Sequence, residues 1–195
     1  MPALLALAFL LAAPAPPRPT AAALQRALEA AQRALVEVHG RRPGGAGVLV
    51  GAQGQVLTAL RFVDAEWANV RLGTTVLGAR LVLASPTLRV AVLHMVGPGP
   101  YPAIPVRLDA PAVGEWVVGI VLLPDGTAEP RLGRLLRVPG EDGPWLEIAV
   151  RLPAGSLLLD GTGKLLGVVV ERRTASALVA PLAAIRAELE STSQR

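Results

Sequence analysis

Cysteine is absent from the chain, lysine occurs once (Lys164) and histidine twice (His39 and His94). Without thiols there can be no disulfide, no thiolate metal centre, no cysteine nucleophile and no iron-sulfur cluster, and the redox state of the compartment is left open. Two histidines offer little to a metal, so neither a metal nor a cofactor is expected. Aromatic residues make up only 3% of the chain. The basic doublets are Arg41-Arg42 and Arg172-Arg173. A nucleic-acid surface would cluster its cations and interleave stacking rings, so no nucleic-acid partner is expected. The net charge of +4 is carried almost wholly by arginine and says little else about partners.

What the chain does have is apolar mass: 52% hydrophobic against 17% charged residues over 195 positions, enough for one domain with a core of its own. The 20 glycines and 18 prolines punctuate apolar runs without a collagen-like period, which points to an all-β architecture. Residues 4–13 form an apolar run too short to span a bilayer, followed by Pro14-Ala15-Pro16-Pro17. Residues 1–22 therefore read as a signal peptide of an exported protein, in the periplasm, in the cell envelope or secreted, and no integral membrane span is expected. Cleavage near Ala21-Ala22-Ala23 avoids the prolines. The segment before the run carries no Lys or Arg. That leaves an uncleaved or loosely anchored terminus as the alternative.

Leu24, Leu28, Ala31 and Leu35 recur at helical spacing, with Glu29 and Arg33 four apart on the outer side, which predicts an amphipathic helix over residues 23–35. Strands follow at residues 35–38, 47–50, 55–58, 69–72, 80–84 and 90–96. The segment from Gly97 to Pro102 holds three prolines and reads as the connection between two halves. A second set is predicted at 116–122, 131–138, 145–150, 157–159, 164–170 and 177–180, and a proline-started helix closes the chain at 181–190. Six short strands in each half, spaced about ten residues apart, suit a pair of small closed barrels or a sandwich better than any βαβ fold. No internal repeat is evident.

Several blocks in order resemble the trypsin-like serine proteases of the HtrA/DegP type. Gly45-Ala46-Gly47-Val48-Leu49-Val50 with Gly54-Gln55-Val56-Leu57-Thr58 is similar to that family's G-S-G-x-I-I…G-x-I-L-T opening, and Val90-Ala91-Val92-Leu93 to its D-L-A-V-L block. Pro102-Ala103-Ile104-Pro105, followed by Val113-Gly114-Glu115-Trp116-Val117-Val118-Gly119-Ile120, resembles P-x-x-P…V-G-x-W-V-x-A-I. Gly163-Lys164-Leu165-Leu166-Gly167-Val168 resembles the D-G-x-V-I-G-I strand pair, and Leu178-Val179-Ala180-Pro181 the F-A-I-P before the closing helix. The resemblance implies an all-β, trypsin-like double β-barrel over residues 36–190, with barrel one at about 36–97, barrel two at about 113–180, and a short helix at each end. No PDZ domain is expected.

Carried over position by position, the family's catalytic histidine falls on Arg61, its aspartate on Arg89 and its nucleophilic serine on Ala154. A serine hydroxyl attacks only when a neutral imidazole takes its proton and a carboxylate orients that imidazole. Arginine stays protonated and has no acceptor, so it fills neither role. The oxyanion segment becomes Leu152-Pro153-Ala154, in which Pro153 has no N–H to donate. The resemblance therefore implies a pseudoprotease rather than an enzyme. Ser156 is the fallback nucleophile, weighed against a surface-turn serine. His39 is expected in a loop, and His94 at a rim or on the surface.

Arg61 and Arg89 are expected to meet at the mouth of the inter-barrel cleft, either as a site for a carboxylate or acidic peptide or as solvated side chains with Asp64 or Glu66 as partners. The family holds peptides by β-addition on the edge that maps to Val169, Val170, Glu171, Arg172 and Arg173. That pairing does not need the triad. The alternative is an edge blunted by its own charges. The N-terminal helix has a counterpart in family segments that assemble trimers, and its Ala/Leu stripe could equally pack on its own barrel, so oligomerisation stays open. Three functions are thus in view: an inactive protein- or peptide-binding module of the cell envelope, a residual hydrolase using Ser156, and a structural envelope domain.

Overall fold

The computed structural model describes residues 17–40, 44–141 and 143–193. The apolar run, most of the expected signal segment and Arg41-Arg42 lie outside these residues. Among the described residues no helix is long and apolar enough to cross a membrane.

Helix α1 (Ala21–Ala34) is capped by Thr20, whose side-chain oxygen accepts from the Ala23 N–H at 3.2 Å. With the cap at Thr20, alanine propagates the first turn without needing a buried contact. Ala27, Ala31 and Ala34 are buried. The helix comes so close to Gly163 that a Cβ there would lie 3.3 Å from the Ala27 Cα.

Twelve strands follow: β1 (Leu35–His39), β2 (Gly45–Leu49), β3 (Gln55–Ala59), β4 (Trp67–Leu72), β5 (Thr75–Ser85), β6 (Val90–Met95), β7 (Trp116–Leu122), β8 (Ala128–Arg137), β9 (Leu146–Ile148), β10 (Leu157–Asp160), β11 (Leu165–Arg172) and β12 (Ala177–Pro181). They close into two six-stranded antiparallel barrels, ordered β1-β2-β3-β6-β5-β4 and β7-β8-β9-β12-β11-β10. The second order is the first advanced by six, so the two halves share one topology without a visible sequence repeat. This is the expected pair of closed barrels, and the sandwich alternative falls.

Side-chain alternation splits the barrel-two strands between two apolar clusters. Val117, Leu158, Leu166 and Val169 fill the barrel-two interior. Their neighbours Val118, Leu157, Leu159 and Val168 join the larger core that runs through barrel one and α1. The connection between the halves is itself docked: Ile104 donates to the Leu49 carbonyl at 3.0 Å, and Leu165 to the Pro105 carbonyl at 2.8 Å.

Several boundaries depart from the sequence reading, most in length at β5, which begins at Thr75 rather than at 80. Strand β8 begins at Ala128 and includes Pro130, which pairs with Ile120. The short β9 reaches only Leu135 and Arg137, so no strand on that side needs the N–H that Pro130 lacks. Pro181 does not start the closing helix. It ends β12, paired with Gly167, and helix α2 runs Leu182–Ser193. His39 is the last residue of β1 rather than a loop residue, held in register opposite Asn69. His94 is half-buried on β6, opposite Gln55 and Arg80.

Candidate functional site

Three segments meet where the barrels face each other. After β3 the chain makes one 3₁₀ turn at Leu60–Phe62, and the Leu60 N–H donates to the Arg89 carbonyl at 2.8 Å. Gly155 sits in the left-handed region at φ +87, where a Cβ would lie 2.7 Å from the Ala46 carbonyl oxygen and 2.9 Å from the Phe62 ring. Only glycine meets both demands without strain. Gly155 donates to the Val169 carbonyl, and Val169 donates to the Ser156 carbonyl, both at 2.8 Å. These bonds bring the segments of Arg61, Arg89 and Ala154 and the start of the predicted edge into one neighbourhood.

The side chains there are cationic or inert. Arg61 is exposed, its guanidinium 5.7 Å from the ring centroid of its neighbour Phe62. Arg89 has a φ of 58 and is the one non-glycine residue with positive φ among the described residues. Its guanidinium lies over Trp145 at 5.2 Å and is bonded to Glu171 on β11. The expected partners Asp64 and Glu66 are thereby corrected for Arg89, because its side chain leaves barrel one and crosses to barrel two. Glu171 has a second cation, Arg173, at 3.5 Å. Arg173 also reaches Glu147 at 3.1 Å. The Ser176 hydroxyl donates to Glu147 at 2.7 Å. That bond leads the effects that hold the Glu147 carboxyl below its usual range, ahead of the opposing pull of burial, and Arg173 and Arg137 add to it.

Leu152 and Ser156 are both buried. Leu152 is fully buried and its side chain occupies the space above Gly119, so this residue plugs barrel two. Ser156 is 1% exposed, which corrects the surface-turn reading: it leads directly into β10 and faces inward with that strand. Its hydroxyl has no hydrogen-bond partner among the described residues. Ser156, Pro153 and Ala154 line a cavity of about 340 Å³ with Phe62, Leu122 and His39. His39 Nε2 lies 3.0 Å from Glu37, which also bonds Arg71. Burial raises the Glu37 pKa, but the bonds from Arg71 and His39 outweigh it and leave the carboxyl below its usual range.

The predicted edge divides in two. Val169 and Val170 are buried, whereas Glu171 is partly exposed and Arg172 and Arg173 are exposed. On one side β11 is paired with β12 as far as Arg172. On the other its pairing with β10 ends at Val168, with Val169 tied to the 155–156 turn. Beyond that point no strand among the described residues covers the second side. Trp145 is the participant that sequence reading missed, since nothing local in the sequence ties it to Arg89. Among the described residues no group of three or more His, Asp or Glu side chains could hold a metal ion.

Neither a protein-family model nor a curated protein matches the chain. Solved structures do. The serine endoprotease from Yersinia pestis superposes with a TM-score of 0.76 at 23% identity, covering 90% of this chain and 67% of that one. The inactive form of the Rv3671c protease superposes with a TM-score of 0.73 at 20% identity, covering 90% of this chain and 97% of that one. At such identities the likeness concerns architecture: the fold is the trypsin-like double β-barrel of serine endoproteases.

Proposed function

We propose that this chain is a catalytically inactive relative of the HtrA/DegP-type proteases, exported to the cell envelope, whose inter-barrel groove binds an extended segment of a protein or peptide. One observation carries the reading: the 60–62, 89 and 154–155 segments converge as a catalytic centre would, and bring together two arginines and an alanine. Arginine can neither accept a proton nor orient an imidazole, and the alanine methyl cannot attack. The open side of β11 past Val169 supports the binding role, because backbone pairing with an extended segment needs free N–H and C=O groups and no catalytic residue.

The cavity shared by Ser156 and His39 supports a second reading, a residual hydrolase with a relocated nucleophile. Labelling the purified protein with a fluorophosphonate and mapping any adduct separates the two. The binding-module reading predicts no adduct, in the wild type as in Ser156→Ala. An adduct on Ser156 that the variant loses would establish the hydrolase instead. A structural envelope domain would neither label nor retain peptides.

A further inference from the structure

We infer that Arg89 and Glu171 form an exchangeable latch over the groove, and that the segment bound there carries an acidic side chain which replaces Glu171 on Arg89. The inference rests on the proposed binding role of the β11 edge and names its specificity. Glu171 pairs with β12 on one side, and on the other it lies on the part of β11 that no strand among the described residues covers, two residues past the tie at Val169. Arg89 arrives from the other barrel, 82 residues away in sequence, and bonds that carboxylate while its guanidinium rests on Trp145.

Both side chains are well exposed, Arg89 at 48% and Glu171 at 37%. An ion pair so exposed is weak enough for another carboxylate to compete. Exchange also leaves neither group stranded. Glu171 keeps Arg173, 3.5 Å away on its own barrel. Arg89 keeps the Trp145 face and exchanges one carboxylate for another. The other carboxylate nearby, Glu147, is held by Ser176 and Arg173, so Glu171 is the one that Arg89 bonds and an incoming acid would replace. A neutral side chain would have to break the latch without replacing it, and a basic one would meet Arg89 directly. The left-handed backbone at Arg89 is a conformation that an arginine holds only where its surroundings impose it, and such positions concentrate at functional sites.

The test uses two pentapeptides, Ala-Val-Glu-Val-Ala and Ala-Val-Gln-Val-Ala, labelled at the N-terminus with an uncharged boron-dipyrromethene dye and amidated at the C-terminus, so that the Glu side chain is the sole carboxylate. Fluorescence polarisation is read with the wild type, Glu171→Gln and Arg89→Gln. The latch predicts that the wild type binds the Glu peptide about two- to fivefold more tightly than the Gln peptide. Glu171→Gln removes the internal competitor and should tighten the Glu peptide by a further factor of about two to five. A misfolded variant cannot produce that gain. Arg89→Gln should bring the two peptides to equal affinity. The inference is overturned if both peptides bind but Glu171→Gln does not tighten the Glu peptide, or if the preference survives Arg89→Gln. Should neither peptide bind any of the three proteins, the groove reading itself fails and the latch with it.

Discussion

At Arg89 the backbone holds an L residue at φ 58, where the Cβ meets the chain unfavourably. Such a conformation carries a penalty of about 1–2 kcal/mol that glycine does not have. Removing the side chain in two ways therefore separates its roles. Arg89→Ala should lose the contacts to Glu171 and Trp145 yet keep the strain. Arg89→Gly should lose the same contacts and relieve it. Glycine at this position should be the more stable of the two by about 1 kcal/mol in denaturant melts, and the reverse order would mean that the left-handed backbone carries no strain. The sequence marks Arg89 as a departure from a protease pattern, but its partner could not be read there. The carboxylate it reaches belongs to the other barrel, whereas Asp64 and Glu66 lie close to Arg61 in the chain. Ser156 fails for a related reason: serine beside a glycine looks like a turn, and only the register of β10 turns the residue inward.

Most strands are visible as apolar runs bounded by glycine or proline, and two of the boundaries that moved did so at proline. Local chemistry says that proline ends a strand. Pro130 escapes because β9 stops short of it, and Pro181 because β11 offers Gly167 opposite. That glycine is a close-approach position, where a Cβ would fall on the Ala180 carbonyl oxygen. Backbone cannot step aside as a flexible side chain can, so Gly167→Ala should destabilise the protein by about 1–3 kcal/mol. Gly78→Ala on β5 is the control, because a Cβ there meets nothing nearer than the Trp67 ring at 4.0 Å. Thermal melting should show a marked loss for the first and little change for the second. Equal effects would mean that the β11–β12 approach is looser than it stands here.

For the whole molecule, the repeated strand order is the feature least legible in sequence. Two barrels with the same topology carry no matching motifs, since a closed barrel requires alternation and turns rather than particular residues. What the sequence offers for the site is the expectation that Arg61, Arg89 and Ala154 stand at the triad positions, and the fold brings their segments into one neighbourhood. Association of the barrels makes the groove: Arg89 from one spans to Glu171 on the other, and the 155–156 turn ties β11 at Val169. The central claim is that this groove holds an extended segment and leaves it uncut. Its most direct test is to incubate the protein with a defined peptide pool, recover the bound fraction and read its masses. Enrichment of intact peptides is the predicted result, and recovery of cleaved products that a Ser156→Ala variant no longer yields would contradict the account.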